Sequence, residues 1–154
     1  MEAEHFNSFA GIYYRKIQIY MKKSFKRLGI SFDEGIVLQH VQENPGSAQD
    51  QIAEAMVLDA AAVARSLKSL EQKGYLSRVV DIENQRRKLV NITPAGSELA
   101  KQINQTMKIW DNEVFNGLSE SAIASLRSSA LFFQQRATVI NIAALLDAQV
   151  SKSE

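Results

Sequence analysis

Basic side chains concentrate in one short stretch of this chain. Residues 60–90 hold Arg65, Lys68, Lys73, Arg78, Arg86, Arg87 and Lys88 against only Glu71, Asp81 and Glu83. Residues 31–59 hold six acids and no Lys or Arg, and residues 1–30 hold six basic residues against two acids. The formal net charge of +1 therefore hides blocks of opposite sign. Clustered cations can neutralise phosphates, and arginine can also read a guanine edge with paired hydrogen bonds. More often charged residues only solvate a surface, so the elements that carry them decide between the two uses. Other chemistry is poorly supplied. There are no cysteines and only two histidines, His5 and His40. No Gly-rich phosphate loop and no H-E-x-x-H spacing occurs, so no metal or cofactor is expected. Any catalytic group would have to come from scattered carboxylates.

The stretch from Asp59 to Lys73 predicts a helix. Asp59 can cap it, Val63, Leu67 and Leu70 recur on one face, and Gly74 follows as a stop. The opposite face presents Ala61, Arg65, Lys68 and Gln72. Two β-branched runs follow, Tyr75–Val80 and Lys88–Ile92, joined by the charged loop Asp81–Arg87, which reads as a hairpin tip. A helix and then a basic-tipped hairpin is the layout of a winged helix-turn-helix. The helix would enter the DNA major groove while the wing reaches the adjacent backbone or minor groove. Candidate DNA-binding residues are Ala61, Ala62, Arg65, Lys68 and Ser69 on the helix, with Arg78, Asn84, Arg86, Arg87 and Lys88 on the hairpin. Arg65 can reach guanine or a phosphate, or pair with a local acid such as Glu71. Ala60, Ala61, Ala62 and Ala64 either offer methyls to thymine or are simply good helix formers.

This region resembles the DNA-binding core of the MarR family, dimeric transcription factors that respond to ligands. The likeness is carried by Pro45-Gly46, Gln51-Ile52-Ala53-Glu54, then Asp59, Val63 and Arg65. Leu70-Glu71-Gln72-Lys73-Gly74-Tyr75-Leu76 continues it, followed by Asp81, Arg86, Lys88-Leu89-Val90 and Ile92-Thr93-Pro94-Ala95-Gly96. The resemblance implies that Arg86, at the wing tip, enters the minor groove. In the family an Asp two residues earlier commonly orients that arginine, and here the position is Asn84. Ala48 stands where Ser or Thr is common, so capping of the third helix is expected to pass to Ser47. Val57 stands where the turn commonly has Gly. A β-branched residue resists the left-handed conformation, so that turn is expected to be built differently. The absence of cysteine excludes the thiol-based peroxide sensing of one branch of the family.

The flanking sequence supplies helices. Residues 3–28 carry Phe6, Phe9, Tyr13, Ile17 and Tyr20 at helical spacing. Ser31 with Glu34 opens a second helix by the capping-box pattern, and a third runs from about Ala48 to Met56. Thr93-Pro94 starts a long fifth helix with Leu99, Ile103, Met107, Trp110 and Val114 in a stripe, broken at Asn116-Gly117. From Ser119 a last helix, apolar on much of its surface, is expected to run to about Ala148. Such a helix must be buried, and one winged domain offers too little surface to cover it. A symmetric homodimer in which the first, fifth and last helices interlock resolves this. The expected fold is mainly α with a small β-hairpin wing. It forms one domain over 1–154, with residues 31–93 as the DNA-binding lobe and 1–30 and 94–154 as the dimerisation region.

By resemblance, an effector pocket lies between that lobe and the dimer helices. Its candidate lining is Tyr13, Ile17, Ile36, His40, Met107 and Trp110, with Arg15 near to hold a carboxylate or phenolate. The same residues also read as ordinary core, and His40 as a satisfied core or interface histidine. The leading function is a dimeric regulator, a repressor of pseudo-palindromic double-stranded DNA released by a small aromatic or anionic ligand. A winged-helix protein-interaction module without DNA binding and a small helical enzyme are the alternatives. The acidic N-terminus lacks a signal pattern and no apolar run approaches a membrane span, so a cytoplasmic protein is expected.

Overall fold

The computed structural model describes residues 3–150, with side chains from Phe6 to Asp147; the side chain of His5 lies outside the described residues. Residues up to Asp111 form one compact unit and residues from Asn112 a second. The helix α1 (Ala3–Arg27) opens the first, followed by α2 (Phe32–Glu43), β1 (Ser47–Ala48), α3 (Gln49–Met56) and α4 (Ala60–Gln72). The strands β2 (Leu76–Val80) and β3 (Lys88–Ile92) come next, and then α5 (Pro94–Val114). All three strands are antiparallel in the order β1-β3-β2, with Arg78 opposite Val90 and Val80 opposite Lys88. The architecture is mainly helical with a small winged sheet, as expected. The strand β1 is additional: Ser47 and Ala48 pair with Val90 and Leu89 and tie the entry to α3 to the wing.

The core gathers one face from every element of this unit. Phe25, Val37, Leu38, Val41, Ile52, Val63, Leu67, Leu70, Val90 and Ile103 are all almost fully buried in one cluster. The apolar stripe foreseen on α4 is therefore the face that it buries. At roughly 1.5–3 kcal/mol per fully buried aliphatic side chain, this packing dominates the position of α4. Its N-terminus is capped as expected, the Asp59 carboxylate accepting from Ala62 N–H at 2.9 Å.

The C-terminal end of α4 is fixed by a charged node. Glu34 closes the capping box of α2: its carboxylate accepts from Ser31 N–H at 2.6 Å, and Ser31 Oγ accepts from Glu34 N–H at 3.1 Å. Lys73 then donates to both Glu34 oxygens at 2.8 and 2.9 Å and to the Gly29 carbonyl at 3.1 Å. Burial pushes the Glu34 carboxyl up, but donation from Lys73, Ser69 and the Ser31 backbone outweighs it. The group therefore titrates below the usual carboxylate range.

Two expectations about the helix-turn-helix are corrected. Ser47 does not cap α3, because its hydroxyl donates to the Asn44 carbonyl at 2.8 Å. Ala48 occupies the cap position without a side-chain acceptor, and Gln51 Oε1 accepts from Ala48 N–H at 3.0 Å. The reciprocal half of a capping box is absent because a methyl cannot accept. Nor is the α3–α4 turn built differently for want of glycine. Val57 takes the left-handed conformation itself, at φ 52° and ψ 45°. Its N–H donates to Glu54 O at 3.1 Å and that of Leu58 to Ala53 O at 2.9 Å, the paired bonds of a Schellman ending. Satisfying those carbonyls requires the positive φ, and the β-branched side chain bears the strain.

Thr93 sets α5 on the turn after α4. Its hydroxyl donates to the Gly74 carbonyl at 2.7 Å and accepts from Gly96 N–H at 3.1 Å, while its own N–H donates to Tyr75 O at 3.0 Å. The close approach leaves no room at Gly96, where an added Cβ would stand 2.1 Å from Tyr75 O. Further along, Trp110 sits between Tyr13 and Tyr20 at ring-centroid distances of 6.2 and 5.2 Å. Tyr20 also donates to the Thr106 carbonyl at 3.0 Å.

In the second unit the single long helix expected after Ser119 is two: α6 (Glu120–Thr138) and α7 (Ile142–Val150). Ser119 caps α6 by accepting from Ala122 N–H at 3.2 Å. The break falls in the β-branched run Thr138-Val139-Ile140. Thr138 donates back to Gln134 O at 2.9 Å, and Asn141 starts a fresh helix by accepting from Ala144 N–H at 3.1 Å. No residue of α6 is buried, and Leu131, Phe132, Phe133, Ile142, Leu145 and Leu146 are each at least half exposed.

Two outcomes follow. Gly96→Ala should destabilise the chain by about 1–3 kcal/mol, measured by urea denaturation, because backbone rather than a flexible side chain blocks the methyl. Glu34→Gln keeps the cap acceptor but removes the charge opposite Lys73, and should cost about 1–2 kcal/mol at neutral pH. A lowered folded-state pKa means that the wild-type advantage is full above the ordinary value of 4.5 and fades as pH falls through the lower folded value. Denaturation curves of the two proteins should converge in acid.

Candidate nucleic-acid interface

The basic residues of the stretch 60–90 do not share one fate. Lys73 is committed to Glu34. Arg78, only 22 % exposed, points from β2 to Glu71 on α4, bonding its carboxylate through Nε at 3.0 Å and Nη2 at 2.5 Å. Donation from Arg78 holds the Glu71 carboxyl below its usual range, against a small desolvation effect. The alternative of an Arg65–Glu71 pair is therefore not realised, because the wing supplies that acid's partner. Arg87 lies 3.9 Å from Asp50 at the start of α3, and its Nε is buried without a hydrogen-bond partner. Ser69 is half-buried and faces Glu34.

Four cations are left over. Arg65 and Lys68 are exposed on α4, and Arg86 and Lys88 are exposed on the wing. None of the four makes an ion pair among the described residues. Ala61 is exposed and Ala62 half-buried on the first turn of α4. Arg65 also borders a cleft with Ser31, Ala62, Ser66, Ser69 and Lys73. On the wing side Arg78, Asn84, Arg86, Arg87 and Lys88 line one cleft of about 450 Å³ with Ala48, Gln49 and Asp50.

Backbone-directed turns shape the wing tip. Asp81 N–H donates to Arg87 O at 2.9 Å, and Asp81 Oδ1 accepts from Glu83 N–H at 3.0 Å. Asn84 accepts from Arg87 N–H through its carbonyl at 2.8 Å and from Arg86 N–H through Oδ1 at 3.2 Å. The amide is thus used on the backbone of Arg86, an Asx-type contact that its acceptor oxygen suffices to make. The guanidinium of Arg86 is left to solvent.

The candidate effector residues divide. Ile36, His40 and Met107 line a cavity of about 280 Å³ together with Met21, Phe25, Gln39, Glu43 and Met56. Tyr13 and Trp110 belong instead to the neighbouring aromatic cluster, where Trp110 Nε1 donates to Tyr13 Oη at 3.4 Å. Arg15 and Ile17 do not line the cavity. Sequence reasoning missed Met21, Phe25 and Met56, although each is an apolar residue on a helix it had drawn. Nor did it foresee that Lys73, Arg78 and Arg87 would face Glu34, Glu71 and Asp50. For Lys73 and Arg87 the acid-rich block 31–59, which holds Glu34 and Asp50, was the available signal.

Comparison with known proteins gives a consistent result. Residues 28–87, which span the second helix to the wing tip, match the MarR family. A protein of Thauera aromatica, described as a candidate transcriptional regulatory protein for the hcr operon, is 29% identical over 122 residues, covering 75% of this chain and 73% of its own. The uncharacterised HTH-type transcriptional regulator YybA of Bacillus subtilis (strain 168) is 31% identical over 75 residues, covering 49% of this chain and 50% of its own. The crystal structure of the transcriptional regulator SlyA superposes with a TM-score of 0.78 at 26% identity, covering 86% of this chain and 94% of that one. These are transcriptional regulators and not enzymes. By the family match over residues 28–87, the relatives and the shared fold, the chain is similar to DNA-binding transcriptional regulators of the MarR family.

Proposed function

We propose that the protein is a homodimeric repressor that binds a pseudo-palindromic operator in the cytoplasm and is released by a small aromatic ligand. Residues 31–93 form its DNA-binding lobe, and residues 1–30 and 94–154 pair the two copies. The observation that carries the reading is the set of four uncommitted cations, Arg65 and Lys68 on α4 and Arg86 and Lys88 on the wing. In a monomer they gain only hydration; against DNA each displaces condensed counterions from a phosphate, or meets a base. An interaction module that had abandoned DNA would have no use for unpaired charge on both elements.

Pairing is supported by the apolar side chains that a single chain leaves in water. Phe9, Ile12 and Ile19 of α1 are more than half exposed, as are Leu131, Phe132, Leu145 and Leu146 of the second unit. So much exposed apolar surface marks an association face. A chain that sediments as a monomer at micromolar concentration contradicts the pairing. Ligand release is supported by the cavity beside α2, whose Met56 wall immediately precedes the turn into α4. No Lys or Arg lines that cavity and Glu43 does, which favours an uncharged aromatic over an anion.

A salt titration separates the roles of the two helix cations. With a duplex selected by the protein from a random pool, Arg65→Ala should cost about 1–3 kcal/mol there and much less on a scrambled duplex. Lys68→Ala should weaken both duplexes alike and reduce the salt slope by about one phosphate per subunit. An Arg65→Ala protein that keeps its full specificity ratio moves base reading away from α4.

A further inference from the structure

We infer that Val57 is a specificity-determining residue that reads a thymine methyl at the edge of the major groove. The inference rests on the DNA-binding mode proposed above and adds to it a contact outside the recognition helix and the wing.

Val57 is the only non-glycine with positive φ among the described residues. For a β-branched side chain this conformation is among the least tolerated, and glycine would adopt it freely. Strain of this kind persists when packing or function compensates for it. Packing within the chain does not, because Val57 is 79 % exposed and stands outside the hydrophobic core. Its neighbours Met56 and Leu58 pack against that core and Val57 does not. The isopropyl group is therefore held outward by a turn that it destabilises.

What lies beyond it follows from position. Val57 stands two residues before Asp59, the cap of α4, and the first turn of a recognition helix is the part that meets base edges. Exposed side chains there are Ala60 and Ala61, which bring methyls and no hydrogen-bonding group. Val57 joins them as a third and larger apolar group. The major-groove feature that suits such a surface is the C5-methyl of thymine, which an apolar side chain contacts and a charged one does not. Bases paired through hydrogen bonds fall instead to Arg65, in the second turn of the same helix.

The test uses the full-length protein and a duplex selected by the wild type from a randomised pool. Val57→Gly and Val57→Asn both suit positive φ, so both variants should melt no lower than the wild type. Both should nevertheless bind the selected duplex on the order of tenfold more weakly, while binding to a scrambled duplex at low salt stays unchanged. Each thymine is then replaced in turn by uracil, which removes only the methyl. At one position per half-site the wild type should lose affinity and the two variants should be indifferent. Equal losses for all three proteins at every thymine, or variants that bind as tightly as the wild type, would overturn the role of Val57. Failure of the wild type to select any duplex would overturn the DNA-reading mode beneath it, and Val57 with it.

Discussion

The structure depends on a single division of labour along α4. Val63, Leu67 and Leu70 must be buried for the first unit to have a core, and a helix that buries one stripe cannot choose what its opposite stripe does. That opposite stripe is Ala61, Arg65, Lys68 and Gln72, all exposed. Position and outward face are thus one fact. Everything else in the lobe braces it: the Asp59 cap at one end, Lys73 on Glu34 and Gly29 at the other, and the Arg78–Glu71 pair that links the wing to it. The bracing is electrostatic where it is partly wet and apolar where it is dry.

This bracing also changes how the charge distribution is understood. Seven basic residues over one stretch suggest a uniform phosphate-binding surface, yet Lys73, Arg78 and Arg87 are directed at acids of the same unit. The acidic block 31–59 supplies Glu34 and Asp50 for two of them. Opposite blocks in the sequence thus partly cancel within the fold, and the cations left without an acidic partner are a smaller and more localised set. Exposed pairs of this type add little stability, so Arg87 near Asp50 matters for direction more than for energy.

Much of this was legible in the sequence because it is local. Helical spacing, the Ser31–Glu34 box, the Asp59 cap, the Gly74 stop and the Thr93-Pro94 start each act within a few residues, and each is found where it was expected. The misses have a common origin in competition between local preferences and distant partners. Val57 resists positive φ, but the two orphan carbonyls at the end of α3 require it. Ser47 could cap a helix, but pairing of β1 with β3 and the Asn44 carbonyl claim it first. The break between α6 and α7 sits in a stretch whose apolar character reads as continuous helix, while its β-branching and Asn141 argue otherwise. Of the cavity residues, Ile36, His40 and Met107 on α2 and α5 were visible by their periodicity, whereas the shift from Tyr13 to Met21 and Phe25 depends on where α1 crosses its neighbours.

The central claim is that the exposed stripe of α4 and the wing tip together form the surface that meets DNA. Amide hydrogen exchange of the full-length protein, with and without a random-sequence duplex at low salt, tests it most directly. Binding should slow exchange over residues 57–69 and 81–88 and leave the amides of the core helix α2 unchanged. Slowed exchange confined to α1 or α6, with 57–69 unaffected, would contradict the account.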